Sequence, residues 1–396
     1  MARAVLYLPD PAERRLPARS VAGRSLALRA IVAAARGGVE TVGVPAALRT
    51  PSLETALRRT RGLAGVLRWL DARDPAEARA FASEPCLLLP ASVLVEPRTL
   101  AGLLEGPMEV GGAAIAESAE GGAPVVLAPP ELMERLWPRL AAGEALGPEL
   151  VRLLEETRPK LRSAAGLFLH VRTEARLRDA DTALYAALGT DDDTGVDRFL
   201  HRRCSRQITR LLVRTPVTPN HVSLASLAIG LGAFWAFWHA TPVSAVLGVA
   251  LYSVAVVLDH VDGELARLTF QESRFGATLD WAVDTIIHST LVLGMAVSAA
   301  PGPAMMAIGL LGAVGVTLSA LFARSLPREI AVGETVGGAL RNMGTRDFFY
   351  LLLVAFVLLR WARPALLPFL ATVVAVGSQA YWIACVARIR RGAAAR

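Results

Sequence analysis

The chain has 396 residues, 53% of them hydrophobic and 19% charged, with 42 basic against 35 acidic side chains and a net charge of +7. At about 150 residues per domain that length makes two or three domains rather than one. A charged fraction below the about 25% of soluble globular chains excludes both a disordered protein and an ordinary soluble enzyme.

The hydrophobic residues are unevenly placed: 1 to 215 has a soluble composition, whereas His221 to Val386 is mostly apolar, so a soluble domain is expected to precede a membrane domain. Cys86, Cys204 and Cys385 lie in separate regions without ligand spacing, which argues against a disulfide framework or a zinc site. The opening MARAVLYLPDPAERR lacks an apolar core followed by a small-residue cleavage site, so the first domain is expected in the cytosol.

In chain order, AVLYL (Ala4 to Leu8), TVGVP (Thr41 to Pro45), GVLRWL (Gly65 to Leu70), CLLLP (Cys86 to Pro90) and PVVLAP (Pro124 to Pro129) read as strands, and Ala22 to Arg36 as a helix. Their alternation predicts an N-terminal α/β domain over 1–189, with a mostly parallel sheet covered by helices. GTDDDTG, from Gly189 to Gly195, reads as a solvated linker. Val196 to Arg214 carries Phe199, Leu200, Ile208, Leu211 and Leu212 among its arginines, so 190–218 is expected to hold a linker and a basic amphipathic helix at the cytoplasmic interface.

Over 219–396 an all-α membrane domain of six transmembrane helices is expected. The spans run over 221–240, 243–262, 277–299, 303–324, 347–362 and 365–387, each near the ~20 residues that cross ~30 Å of hydrocarbon. Arg324, Arg328, Arg341 and Arg346 lie between spans four and five, and Arg388, Arg390, Arg391 and Arg396 after span six. The alternate loops hold only Arg360 and Arg363, which by the positive-inside rule puts both termini in the cytoplasm.

Chemistry concentrates in LDHVDGELARLTFQESRFGATLDWAVDTIIH, Leu258 to His288. Asp259 and Asp262 are three apart and Asp280 and Asp284 four apart, so each pair shares a helix face. Acidic groups beside membrane spans are expensive and call for cations. Hard oxygen ligands suit magnesium or manganese, and two such ions can bridge a diphosphate. Gly263, Ala266 and Gly276 allow close approach of a nucleotide or helix, and Arg267 supplies charge for a phosphate.

Asp259-x2-Asp262-Gly263-x2-Ala266-Arg267-x8-Gly276-x3-Asp280-x3-Asp284 matches the signature of the CDP-alcohol phosphatidyltransferases, and Thr218-Pro219-Asn220 resembles that family's entry motif. The resemblance, over about Arg214 to Arg396, implies two divalent cations held by Asp259, Asp262, Asp280 and Asp284, with Asp284 also the general base. It further implies a CDP moiety bounded by Gly263, Ala266, Arg267, Thr218 and Asn220. The implied reaction is attack of an acceptor hydroxyl on the β-phosphorus of a CDP-alcohol, with CMP leaving. The donor is CDP-diacylglycerol or CDP-inositol, and the acceptor a lipid alcohol or a polyol phosphate. Arg324, Arg328, Arg341 and Arg346 either hold a phosphate on the acceptor or set topology. Membrane lipids and a second copy of the chain are the expected partners, with no nucleic acid, and the cell inner membrane is the expected location.

The arrangement also resembles the fused enzymes that make di-myo-inositol phosphates, in which a nucleotidyltransferase of Rossmann type precedes the membrane domain. The chain departs from such a domain at three places. Leu8 to Arg19 has no glycine where that family has a glycine-rich loop, and Ser92 and His170 stand where metal-binding aspartates are expected. The resemblance thus implies a nucleotidyltransferase-like domain without cytidylyl transfer. A bifunctional cytidylyltransferase and CDP-inositol phosphotransferase is the alternative, and a membrane scaffold without activity is disfavoured by the four aspartates.

Overall fold

A computed structural model of the chain describes residues 2–106, 111–189, 201–239, 241–325 and 346–394, the last four of these without side-chain detail, as also at Arg346 and Asp347. The chain divides into two compact units, one built on Met1–Leu188 and the other on Gly189–Arg267 and Glu272–Arg396.

The first unit is an α/β domain. Its strands are β1 (Arg3–Tyr7), β2 (Ser20–Val21), β3 (Arg24–Ser25), β4 (Thr41–Pro45), β5 (Leu67–Leu70), β6 (Cys86–Pro90), β7 (Val93–Val95), β8 (Ala114–Ala116), β9 (Val125–Ala128), β10 (Lys160–Leu161) and β11 (Phe168–His170). Seven make one sheet in the order β10-β8-β9-β6-β1-β4-β5. β1 pairs parallel with β4 and β6, and β4 with β5, whereas β9 runs antiparallel to β6 and β8. β10 also pairs parallel with β8, so the sheet is mostly parallel as expected, with β9 alone running against the other strands. The connection from Ala116 to Val125 is too short for the crossover of a dozen or more residues that a parallel pair needs, so that strand returns as a hairpin.

Both faces of the sheet are buried, which is why its strands read as continuous apolar runs. Ala4, Leu6, Leu87 and Leu89 pack on one face, and Val5, Tyr7, Cys86 and Leu88 on the other. The first helix, α1, is Leu26–Arg36, shorter at its start than the sequence pattern suggests. Ala22 and Gly23 take positive φ of 43° and 75° in the turn between β2 and β3, and Ser25 then caps the helix by accepting from the Leu28 amide at 3.4 Å. Helices α2 (Pro51–Arg59), α3 (Pro75–Ala82), α4 (Pro97–Glu105), α5 (Pro130–Ala142), α6 (Gly147–Thr157) and α7 (Leu177–Ala186) complete the unit.

The second unit, as described, is helical: α8 (Arg202–Leu212), α9 (Pro219–Trp238), α10 (Pro242–Thr269), α11 (Arg274–Ala299), α12 (Pro303–Arg324), α13 (Arg346–Ala362) and α14 (Leu367–Ala394). Among the described residues, five stretches are long and apolar enough to cross a membrane: α9, α10, α11, α12 and Pro364–Arg390. The fifth expected span is a shorter apolar helix, Phe348–Ala362. At 28 residues α10 is about 42 Å long, more than the ~30 Å hydrocarbon core, so a crossing helix of this length carries part of itself outside that core. Tyr252, Val256, Val283, Leu291, Leu353 and Phe356 belong to the buried core that joins these helices.

α12 and α14 meet through small residues. A Cβ added at Gly315 would lie 2.2 Å from Ser378 Oγ, and one at Gly312 3.5 Å from the Ala375 backbone. Ser319 also donates to the Ser378 carbonyl at 3.1 Å and Gln379 to the Leu311 carbonyl at 2.7 Å.

α8 is held by polar contacts rather than by its apolar residues. Glu264 of α10, fully buried, accepts from Arg202 at 3.0 Å, Ser205 at 2.8 Å and Thr209 at 2.7 Å, residues at helical spacing on one side of α8. Leu211 is exposed, and Ile208 half-buried. Arg202 is thus committed to a protein carboxylate. Phe199 and Leu200 lie outside the described residues.

Candidate active site

α10 and α11 carry the motif residues. Asp259 and Asp262 fall on α10 and Asp280 and Asp284 on α11, each pair within one continuous helix. Asp259, Asp262 and Asp280 place carboxylate oxygens within 4.8 Å of one another, with Asp259 and Asp262 buried and Asp280 half-buried. Asp284 stands outside that group of three. It borders a cavity of about 550 Å³ with Trp281, His288, Ser319, Arg324 and Tyr381.

Neighbouring helices fix these groups. Ser223 of α9, itself buried, donates to Asp262 Oδ2. Thr218 caps α9: its Oγ1 accepts from the His221 amide at 3.4 Å, and His221 Nδ1 accepts from the Thr218 amide at 3.4 Å. This puts Asn220 at the helix start, where its Oδ1 would be 3.5 Å from a Cβ added at Gly276. Gly263 lies beside Arg267, whose Nη1 would be 3.4 Å from a Cβ added at the glycine, an ordinary contact distance. Ala266 lies on the same helix, half-buried.

His288, one turn after Asp284, is fixed at both nitrogens. Nδ1 donates to the Asp284 carbonyl at 2.7 Å, which leaves Nε2 to accept from the Tyr252 hydroxyl at 2.9 Å. Of the four arginines between α12 and α13, Arg324 is exposed and lies over the Trp281 ring, 5.3 Å from its centroid. Arg328 and Arg341 lie outside the described residues, and the side chain of Arg346 is not described. Ser223, Tyr252, Glu264 and His288 were not singled out by sequence reasoning. Ser223 lies outside the motif and Glu264 at one of its unspecified positions, and His288 had the one available signal, its place four residues after Asp284.

Three carboxylates this close, two of them buried, repel one another unless a cation sits among them, and an all-oxygen donor set suits a hard divalent ion. The residues therefore fit a metal centre.

In the first unit the positions expected to be metal ligands form something else. Glu13, Ser92 and His170 are all buried. Glu13 Oε2 accepts from Ser92 Oγ at 2.8 Å and from His170 Nε2 at 2.9 Å, while His170 Nδ1 accepts from the Ala123 amide at 2.9 Å. Glu13 comes from the tight helical turns of Pro11–Ala18, which fill the place after β1 where a glycine-rich loop would be.

A helical unit with five apolar helices of membrane-crossing length and a buried carboxylate cluster on two of them defines a membrane protein with a metal-binding site. Residues 216–389 match the CDP-alcohol phosphatidyltransferase family. The chain is also similar to proteins named bifunctional IPC transferase and DIPP synthase. That of Thermococcus kodakarensis is 32% identical over 130 residues, 33% of this chain and 29% of the relative. That of Archaeoglobus fulgidus is 27% identical over 198 residues, 49% of this chain and 38% of the relative. An archaetidylinositol phosphate synthase of Aeropyrum pernix is 33% identical over 99 residues, 24% of this chain and 50% of the relative. The chain thus spans half or less of the length of each of these relatives.

Proposed function

We propose that the protein is an integral membrane phosphotransferase that moves a phospho-alcohol group from a CDP-alcohol to an acceptor hydroxyl, in phospholipid or inositol phosphate synthesis. The observation that carries this is the carboxylate cluster of Asp259, Asp262 and Asp280, set within a domain of matching family, with Asp284 on the wall of an adjoining cavity. The relative named archaetidylinositol phosphate synthase favours an inositol phosphate or related polyol phosphate as acceptor.

In this reading Asp259, Asp262 and Asp280 hold divalent metal, two magnesium or manganese ions, with Asp284 at the margin. Such ions when bound neutralise diphosphate charge and stabilise the leaving CMP. The cytidine diphosphate is bounded by Gly263, Ala266, Arg267, Thr218 and Asn220. The acceptor oxygen bonds to the β-phosphorus, the bond from that phosphorus to the bridging oxygen breaks, and Asp284 takes the hydroxyl proton as the new bond forms. Arg324 holds a phosphate on the acceptor.

The same reading gives α13 a membrane crossing as the sixth span, both termini a cytoplasmic side and the protein a place in the cell inner membrane as a homodimer. It takes 1–189 as a nucleotidyltransferase-like domain whose site is filled by Glu13, Ser92 and His170, with 190–218 as connector. The bifunctional alternative draws on the names of the relatives and requires CTP turnover in the first domain. Purified protein given CDP-alcohols tests the proposal: CMP release that needs both an acceptor and a divalent cation is expected, and its absence with every donor would overturn it.

A further inference from the structure

We infer that Tyr252 and His288 are positioning residues for Asp284: their hydrogen bond pins α11 against α10 and so sets where the carboxylate of the base stands relative to the metal-binding cluster. The inference rests on the phosphotransferase reading, since it assigns a duty within that site. Its first ground is helical spacing. Tyr252 precedes Asp259 by seven residues on α10 and His288 follows Asp284 by four on α11, so at 3.6 residues per turn each lies on the aspartate-bearing face of its helix. The two residues form the next rung of the ladder that the aspartates begin, about 10 Å further along α10 and about 6 Å further along α11. The Tyr252 hydroxyl closes that rung by donating to His288 Nε2 at 2.9 Å.

A pin of this kind answers an electrostatic problem. Asp259, Asp262 and Asp280 repel one another across the two helices whenever too few cations sit among them. Something besides the carboxylates must then keep α10 and α11 in register, and apolar packing between membrane helices gives little preference, because lipid is as apolar as the partner helix. A neutral hydrogen bond supplies the preference. Tyr252 is fully buried, so its hydroxyl would be left unmatched if α11 turned or slid. His288 carries the constraint to Asp284. Its Nδ1 donates to the Asp284 carbonyl at 2.7 Å, and Phe349 of α13 stands edge-on to its ring with centroids 4.5 Å apart.

The cluster of three has a support of its own, since Ser223 of α9 donates to Asp262. Loss of the pin therefore displaces Asp284 and leaves the metal ligands in place. A second tyrosine and histidine pair provides a built-in comparison. Tyr350 of α13 and His201, just before α8, share a hydrogen bond of 3.0 Å with their rings stacked at 5.3 Å. The Tyr350 ring packs 5.0 Å from that of Tyr252, but its bond to His201 joins α13 to the start of α8 and not α10 to α11.

Full-length protein in lipid nanodiscs is assayed for CMP release with CDP-dioleoylglycerol or CDP-inositol as donor and inositol phosphate as acceptor, and magnesium affinity is read by calorimetric titration. Tyr252→Phe, which keeps the ring and removes the hydroxyl, is expected to lower kcat by about tenfold or more, as misplacement of a catalytic group does, with donor KM and magnesium affinity within about twofold of wild type. Tyr350→Phe, which loses the same kind of bond, is expected to keep kcat near the wild-type value. His288→Gln, whose side-chain oxygen can replace Nε2 as acceptor from Tyr252, is expected to keep more of kcat than the shorter His288→Asn. Wild-type kcat in Tyr252→Phe, equal losses in Tyr252→Phe and Tyr350→Phe, equal kcat in the two His288 variants, or a loss of kcat matched by weakened magnesium binding would overturn the inference while leaving the phosphotransferase reading in place. Where Tyr252→Phe does not fold, the order of His288→Gln and His288→Asn decides. No CMP from the wild-type protein with any CDP-alcohol would overturn that reading itself, and the inference with it.

Discussion

Arg202 donates to Glu264 at 3.0 Å with the two side chains only 6% and 0% exposed, and Glu264 directly follows the motif residue Gly263. The ion pair therefore fixes α8 to the segment of α10 that carries Asp259 and Asp262. Removing one partner of a buried pair leaves the other charge unmatched, at a cost of about 3–5 kcal/mol. Glu264→Ala should lower the unfolding temperature in detergent accordingly, and Glu264→Gln, which keeps acceptor capacity for Ser205 and Thr209, should lower it less. Equal wild-type stability in both variants would show that the network holds nothing.

Asp259→Asn and Asp284→Asn should separate two duties. Asp259 belongs to the cluster of three, so its loss should weaken metal and nucleotide binding together, read by calorimetric titration of the cation. Asp284 borders the cavity instead, so its loss should cut the rate of CMP release by about 10²–10⁴-fold, as expected for a lost general base, with much of the nucleotide affinity retained. Full activity in either variant would refute the assignment.

The first domain should not activate CTP. A site whose expected ligands are spent on one another, Ser92 and His170 on Glu13, offers no carboxylate pair for a metal. Pyrophosphate release from CTP with inositol phosphate or glycerol phosphate at high magnesium is the measurement. Substrate-dependent release would establish the bifunctional enzyme. His170→Ala should destabilise the domain by about 2–3 kcal/mol, through a hydrogen bond lost from the buried Glu13 carboxyl.

Thiol reactivity should be confined to one cysteine. Burial pushes the Cys86 thiol well above its ordinary range, so at pH 8 it holds almost no thiolate, the reactive form, whereas Cys204 is exposed. Cys385 is buried in α14. Alkylation of the native protein followed by peptide mass spectrometry should find the label on Cys204, and rapid labelling of Cys86 would contradict the packed β6.

Much of the architecture was legible because periodicity and burial coincide. β4 and β6 fall on the residues read as strands, since each is apolar on both faces, and α12 begins and ends with its span. The aspartate pairs were legible for the same reason, as helical spacing decides which side chains share a face. The short strands β2, β3, β8 and β10 were not, because two or three residues carry no period. Neither was the separation of Asp284 from the other three aspartates, which depends on how α11 is rotated against α10 and α12. Glu13 was hidden in a segment read only for the glycines it lacks. Its meaning comes from Ser92 and His170, far away in sequence.

The glycine seam between α12 and α14 divides the cavity walls into two kinds. A carbon added at Gly315 would run into the Ser378 and Gln379 side chains of α14, and one added at Gly312 would lie 2.7 Å from the Val292 side chain of α11. The opposite walls, from α11 and α13, are made of side-chain ends such as Val292 and Leu352, which can be trimmed or enlarged without moving a helix. Selection for a bulkier or slimmer substrate would therefore find its variation at side-chain ends on all four helices, Val316 and Val374 as much as Val292 and Leu352, with the glycine positions of α12 the places least open to change.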